Sequence, residues 1–131
     1  MSTFCGQHDA RVLADGSLTV FDDGTGCNRP SRAVRFAIDD TDHTATLLED
    51  VRDSAGAGSG CCGSTRRLPD GDWVTQWGSN PYATEQTGTG VPVFKLSFAQ
   101  GLVSYRADPV LPGELSRAAL RAGMDAQYPR P

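Results

Sequence analysis

Lysine is almost missing from this chain: Lys95 stands alone against 11 arginines. Glutamate is nearly as scarce, with Glu49, Glu85 and Glu114 set against 13 aspartates. Asp bonds nearby backbone amides and favours turns and caps, so the excess of Asp over Glu argues against a helical bundle. No apolar run approaches the roughly 18 residues of a membrane span, and Met1-Ser2-Thr3 leads into polar sequence with no signal-peptide core. Positive charge is in deficit too: the net charge of −4 and a pI near 5.0 give no basic footprint for phosphates. A nucleic-acid partner and an acidic membrane surface are both disfavoured on that ground. Gly-x-Gly-x-x-Gly, a phosphate loop, a serine nucleophile elbow and His-Glu-x-x-His are all absent, and most familiar enzyme classes go with them.

Turn formers are plentiful. The 15 glycines and 8 prolines make up about 18% of the 131 residues, against an ordinary share of about 12%. Their placement reveals a repeat. His8-Asp9-Ala10-Arg11-Val12-Leu13-Ala14-Asp15-Gly16-Ser17-Leu18-Thr19-Val20 matches Gly63 to Thr75 at an offset of 55, with Arg, Leu, Asp and Gly at identical spacing. Each copy reads as a strand, an Asp-Gly turn and a second strand. A second hairpin follows each: Ala33–Ile38 and Thr44–Leu48 around an Asp39–His43 turn, then Tyr82–Gln86 and Val91–Phe98 around Gly88-Thr89-Gly90.

Four short strands per repeat is the pattern of β-propeller blades. The expected fold is therefore all-β, a partial propeller forming one domain over 1–131. It comprises a blade at 4–53, a flexible Gly- and Ser-rich linker at 54–60, a blade at 61–99, and a closing strand with a short C-terminal helix over 100–131. Leu102–Val110 reads as the opening strand of a third unit. Behind it, Ser116 is the cap of a helix whose Leu115, Ala119, Leu120 and Met124 share a packing face.

Of the two histidines, His43 falls in a solvated Asp- and Thr-rich turn. His8 opens the innermost strand of the first blade, at the edge where propellers line a central funnel, and an imidazole there can act as nucleophile or base or simply hold a hydrogen bond. Arg11 and Arg66 recur at one place in the two units. They suit either a repeated ion pair with Asp9, Asp15 or Asp70, or a grip on anionic oxygens near the channel. Arg106 and Arg67 are weaker candidates for the same work. Trp73 and Trp77, four apart, point to one side and fit a wedge between blades better than a ligand platform. Cys5, Cys27, Cys61 and Cys62 allow three pairings, including a ring between the adjacent pair, and one or two disulfides in an exported protein account for them best. A zinc site from Cys5, His8, Cys61 and Cys62 lacks paired Cys-x-x-Cys spacing, so no metal is expected.

Phe4-Cys5-Gly6-Gln7-His8-Asp9-Ala10-Arg11-Val12-Leu13, Val20-Phe21-Asp22-Asp23-Gly24, Ser31-Arg32-Ala33-Val34 and Cys61-Cys62-Gly63-Ser64-Thr65-Arg66-Arg67-Leu68-Pro69-Asp70-Gly71 together resemble the C-terminal part of arylsulfotransferase-like proteins. The tail Ser104-Tyr105-Arg106-Ala107 with Leu115–Asp125 is similar to the end of their actinobacterial branch. The resemblance implies a six-bladed propeller, outside the cytoplasm, that moves a sulfuryl group from an aryl sulfate to a phenol through a sulfated histidine, with no cofactor. His8 matches the nucleophile of the family's His-Asp string; Arg11, Arg66 and Arg106 are expected contacts to sulfuryl oxygens from their own positions near the channel, not from a family motif. Two blades cannot close such a ring, so the expectation includes missing N-terminal blades or self-association. The rival expectation is a non-catalytic propeller scaffold of the cell envelope.

Overall fold

The computed structural model describes residues 4–99 and 101–128. Met1, Ser2, Thr3, residue 100 and residues 129–131, which enter the leader and closing-segment readings above, lie outside that range. Eight strands and one helix follow in chain order: β1 (Gln7–Val12), β2 (Leu18–Asp22), β3 (Arg32–Asp39), β4 (Thr44–Arg52), β5 (Ser64–Arg67), β6 (Trp73–Gln76), β7 (Tyr82–Gln86), β8 (Pro92–Ser97) and α1 (Arg117–Gln127). They form two antiparallel meanders, β1-β2-β3-β4 and β5-β6-β7-β8. The all-β, two-blade expectation holds, and the sheets do not close into a barrel.

The repeat is kept in the register. Arg11 pairs with Thr19 and Arg66 with Val74, each 55 residues apart from its counterpart. Both hairpins turn in the same way. Leu13 N–H donates to Ser17 O at 2.8 Å and Leu68 N–H to Asp72 O at 2.7 Å. Gly16 and Gly71 take the positive φ that the tip of such a turn needs, +80° and +100°.

The sheets meet face to face through Ala33, Val51 and Trp73, all essentially buried. The Trp73 indole N–H donates to Glu49 Oε2 at 2.8 Å. Phe21 of the first sheet meets Trp77 edge-on with ring centroids 6.0 Å apart. Both tryptophans therefore sit at the join, as their spacing predicts. Tyr82 Oη–H donates to Asp53 Oδ2 at 2.5 Å and Gln86 Nε2 donates to Arg52 O at 3.1 Å, which fastens the outer part of the join. The remaining apolar cluster, Val20, Val34 and Phe36 with Leu18 and Ala45, belongs to the first sheet alone.

Three expectations change. The 54–60 segment is no loose linker. Ala57 O accepts from Ser31 N–H at 3.2 Å, Ser59 O accepts from Thr25 Oγ1 at 2.6 Å, and Ser59 Oγ accepts from Ser79 N–H at 2.9 Å. Small residues let the backbone pass closely enough to be stitched to both sheets. Leu102–Val110 forms no strand. Its Ala107 N–H donates to Ser64 Oγ at 3.0 Å, much as Thr65 N–H donates to Asp9 Oδ2 at 3.1 Å, and Ser64 follows Asp9 by 55 residues. The segment thus meets the second sheet where β5 meets the first, but no neighbouring strand offers it a ladder. Finally, α1 forms behind its Ser116 cap, whose side chain accepts from Ala119 N–H, yet no residue of the helix is buried. Its apolar Leu120 and Met124 are 51% and 58% exposed.

Candidate functional site

His8 lies in β1 opposite Phe21, but three residues on, where Arg11 faces Thr19, the pairing has shifted by one. The shift is a β-bulge, and Asp9 within it takes a left-handed φ of +54°. Bulges re-aim side chains and concentrate beside functional sites. Here the bulge sends two neighbouring side chains to separate duties. Asp9 is drawn sideways into the join, where its carboxylate accepts from Thr65 N–H, from Arg66 Nη1 and, at 3.3 Å, from Arg11 Nε. His8 stays one-third exposed, and its Nε2 lies 3.0 Å from Asp23 Oδ2.

Asp23 is held from several sides. Its side chain is 3% exposed, and Oδ1 accepts from Thr25 N–H at 2.7 Å. The backbone is fixed by Asp23 N–H donating to Gly6 O at 2.9 Å and by Ser31 Oγ donating to Asp23 O at 2.8 Å. Gly6 is required here: at its φ of +94° a Cβ would overlap the Asp23 carboxylate. The second sheet has no such pair. Ser64 stands opposite Gln76 as His8 stands opposite Phe21, and the residue 55 after Asp23 is Gly78. The blade architecture therefore does not demand the His–Asp pair.

Beside it, Asp22 is fully buried. Its carboxylate accepts from Cys5 N–H at 3.0 Å, from Arg29 Nη2 at 2.5 Å, and from Arg32 Nε and Nη2 at 3.1 and 3.0 Å. Burial pushes its pKa up, but the hydrogen bonds from Arg29, Cys5 and Arg32 outweigh that and hold it below the ordinary 3.8. Cys5–Cys27 is a disulfide, with Cα atoms 5.8 Å apart, so the loop between β2 and β3 is tied covalently to the residues just ahead of β1. Cys61 and Cys62 pair with each other. No group of three or more His, Cys, Asp or Glu side chains suited to a metal occurs among the described residues.

The predicted arginines divide. Arg66 donates to Asp9 and, at 2.5 Å, to Asp108 Oδ1, and Arg11 leans on the same Asp9. Arg67 Nε donates to Glu49 at 2.8 Å. Arg106 stacks on Tyr105, its guanidinium carbon 5.5 Å from the ring centroid. The structure thus puts Arg11 and Arg66 together around one carboxylate, Asp9, Arg11 from within β1 and Arg66 across the join, rather than in an ion pair repeated in each unit, and does not join Arg106 to them. His43 occupies the exposed β3–β4 turn at φ +51°.

Sequence reasoning missed Asp22, Asp23 and Glu49. Glu49 on β4 accepts from Arg35 Nη1 at 2.6 Å as well as from Arg67 and Trp73, and so joins four strands. Burial raises its pKa, but Arg35, Trp73 and Arg67 together hold it below 4.5. On the first hairpin turn, hydrogen bonds from Ser17 bring Asp15 to about 2, with Arg35 adding to them. Burial and the Asp53 carboxylate push the Tyr82 phenol up.

These carboxylates have folded values below their unfolded ones. Their contribution to stability is complete above the unfolded values of 4.5 and 3.8 and is lost as pH falls through the folded ones. Acid titration followed by tryptophan fluorescence should show level stability from pH 7 to about 5, then a decline. Each proton taken up on unfolding adds a slope of about 1.4 kcal/mol per pH unit. Glu49→Gln should be less stable at pH 7 and show a shallower decline, so that the two curves converge toward pH 2. Parallel curves would remove Glu49 from this account.

The chain matches no sequence profile of a known family, no characterised protein and no solved structure. Nothing in those comparisons identifies the arylsulfotransferase-like family, and the site must be read from its own geometry.

Proposed function

We propose that this chain carries the nucleophilic histidine of a sulfuryl-transfer centre of arylsulfotransferase type, passing the group from an aryl sulfate to a phenol without a cofactor. The observation that carries this reading is the His8–Asp23 pair: a partly exposed imidazole at the head of an inner strand, backed by a buried carboxylate, in the one sheet of the two that has it. An imidazole lone pair is a competent attacker at sulfur, and its later expulsion by a phenol completes a two-step transfer. Arg106, which forms no ion pair with a described residue, is the arginine best able to meet sulfuryl oxygens. Arg11 and Arg66 would have to do so from within their ion pairs with Asp9. Turnover belongs to a closed ring of such sheets, supplied by associated copies or by further blades. The Cys5–Cys27 disulfide suits an oxidising compartment, which supports a place outside the cytoplasm. No helix among the described residues is long and apolar enough to cross a membrane.

A scaffold reading draws on the same arginines, since two of the three expected substrate contacts are ion-paired to Asp9 and one of these, Arg66, joins the sheets. The two are separated by incubating the protein with 4-nitrophenyl sulfate and a phenol acceptor and following nitrophenolate release. Transfer should fall by about 10³-fold or more in His8→Ala, the scale on which loss of a nucleophile acts. Turnover that survives this substitution would sink the nucleophile assignment. If neither turnover nor a sulfuryl label on His8 appears in a complete ring, the scaffold reading stands.

A further inference from the structure

We infer that Asp23 is the positioning residue of this site and that the reacting atom of His8 is Nδ1. The inference rests on the sulfuryl-transfer reading for its chemistry but on geometry for its content. A neutral imidazole carries one ring proton, and a carboxylate can only accept. Asp23 Oδ2 lies 3.0 Å from Nε2, so the proton sits on Nε2 and the lone pair on Nδ1. Nδ1 has no hydrogen-bond partner among the described residues.

Asp23 cannot easily turn away from this duty. Its other oxygen is occupied by Thr25 N–H, its backbone N–H and C=O are both bonded, and the carboxylate fills the space that a side chain at Gly6 would take. A side chain so fixed selects the tautomer and ring orientation of its histidine, as the third member of a nucleophile–base–orienter set does.

The steps balance without any further reagent. The Nδ1 lone pair attacks sulfur, the sulfur–oxygen bond to the aryl group breaks, and the phenolate leaves with the electron pair. The ring now holds the sulfuryl group on Nδ1 and a proton on Nε2, and Asp23 faces the positive charge that has appeared on it. A phenol oxygen then attacks sulfur, the nitrogen–sulfur bond breaks, its pair returns to Nδ1, and the phenol proton passes to solvent. Neither step moves a proton to Asp23, and neither uses the proton on Nε2.

The test begins on the resting protein, so it does not depend on turnover. In uniformly ¹⁵N-labelled protein, at a pH where the His8 ring is neutral by its own titration, long-range proton–nitrogen spectra should show Nδ1 as the unprotonated nitrogen. Asp23→Asn keeps an acceptor for Thr25 N–H and removes the charge. It should populate both tautomers, lower kcat with 4-nitrophenyl sulfate by about 10²- to 10⁴-fold, and leave KM nearly unchanged. The sulfuryl adduct, trapped by alkaline quench, should lie on Nδ1. A protonated Nδ1 in the resting protein, an unaltered tautomer in a folded Asp23→Asn, or an adduct on Nε2 would each overturn the inference. The expected tautomer with no adduct anywhere on His8 would uphold Asp23 as the orienter and overturn the sulfuryl-transfer reading instead.

Discussion

Asp22→Ala should leave most of the protein unfolded at neutral pH. The carboxylate is fully buried and takes four hydrogen bonds, three of them from the guanidinium groups of Arg29 and Arg32. A buried ion pair is weak evidence of net stabilisation, because desolvating both charges costs about as much as their attraction returns. Removing one partner is a different matter. Arg32 is 1% exposed, and without Asp22 it loses the carboxylate that takes two of its N–H groups. Breaking such a pair costs about 3–5 kcal/mol, which is comparable with the whole stability of a small domain. Asp22→Asn should suffer similarly, since it keeps the shape and loses the charge. The check is urea denaturation followed by tryptophan fluorescence, with Arg52→Ala as control. Arg52 is half exposed and pairs with Asp50, an arrangement worth at most about 1 kcal/mol. A loss under about 1 kcal/mol in Asp22→Ala would mean that the buried network contributes little.

That network also marks where sequence reasoning stopped. Strand order, both Asp-Gly turns and the offset of 55 were legible because they depend on local chemistry: a β-branched run, a turn residue with positive φ, a repeat at fixed spacing. The Ser116 cap was legible for the same reason. What Asp22 and Asp23 do was not, although both stand in the conspicuous Phe-Asp-Asp-Gly string. Their partners are 10 and 15 residues away, Arg32 on the neighbouring strand and His8 across a bulge. A bulge shifts register by one residue and leaves no mark in a strand of ordinary composition. The reading of 54–60 as a loose linker erred in the opposite direction. Composition reports what a segment cannot bury, and it is silent on hydrogen bonds its backbone can make to two sheets at once. Leu102–Val110 had strand-like residues and found no strand to pair with.

Trp73→Ala should be the most damaging change to the core, at about 3–5 kcal/mol, the range for emptying a large aromatic site that cannot collapse. Trp73 is fully buried between Ala33 and Val51 of the first sheet, and its indole N–H is one of the donors that satisfy Glu49. Its loss opens a cavity at the join and removes a hydrogen bond from a buried carboxylate together. The repeat supplies an internal control. Ala83 pairs with Leu96 as Ala33 pairs with Val51, so Leu96 stands in the second sheet where Val51 stands in the first. Val51 is 1% exposed beneath Trp73, whereas Leu96 is 49% exposed. Leu96→Ser should therefore change stability by less than about 1 kcal/mol, the scale of substitutions away from packed sites. Beyond the size of the loss, Trp73→Ala should uncouple the sheets. Urea transitions monitored by Trp77 fluorescence and by far-ultraviolet circular dichroism, coincident in the parent, should separate. Coincident transitions with a small loss would show that the sheets are held by Glu49, Asp9 and the 54–60 backbone rather than by the tryptophan wedge.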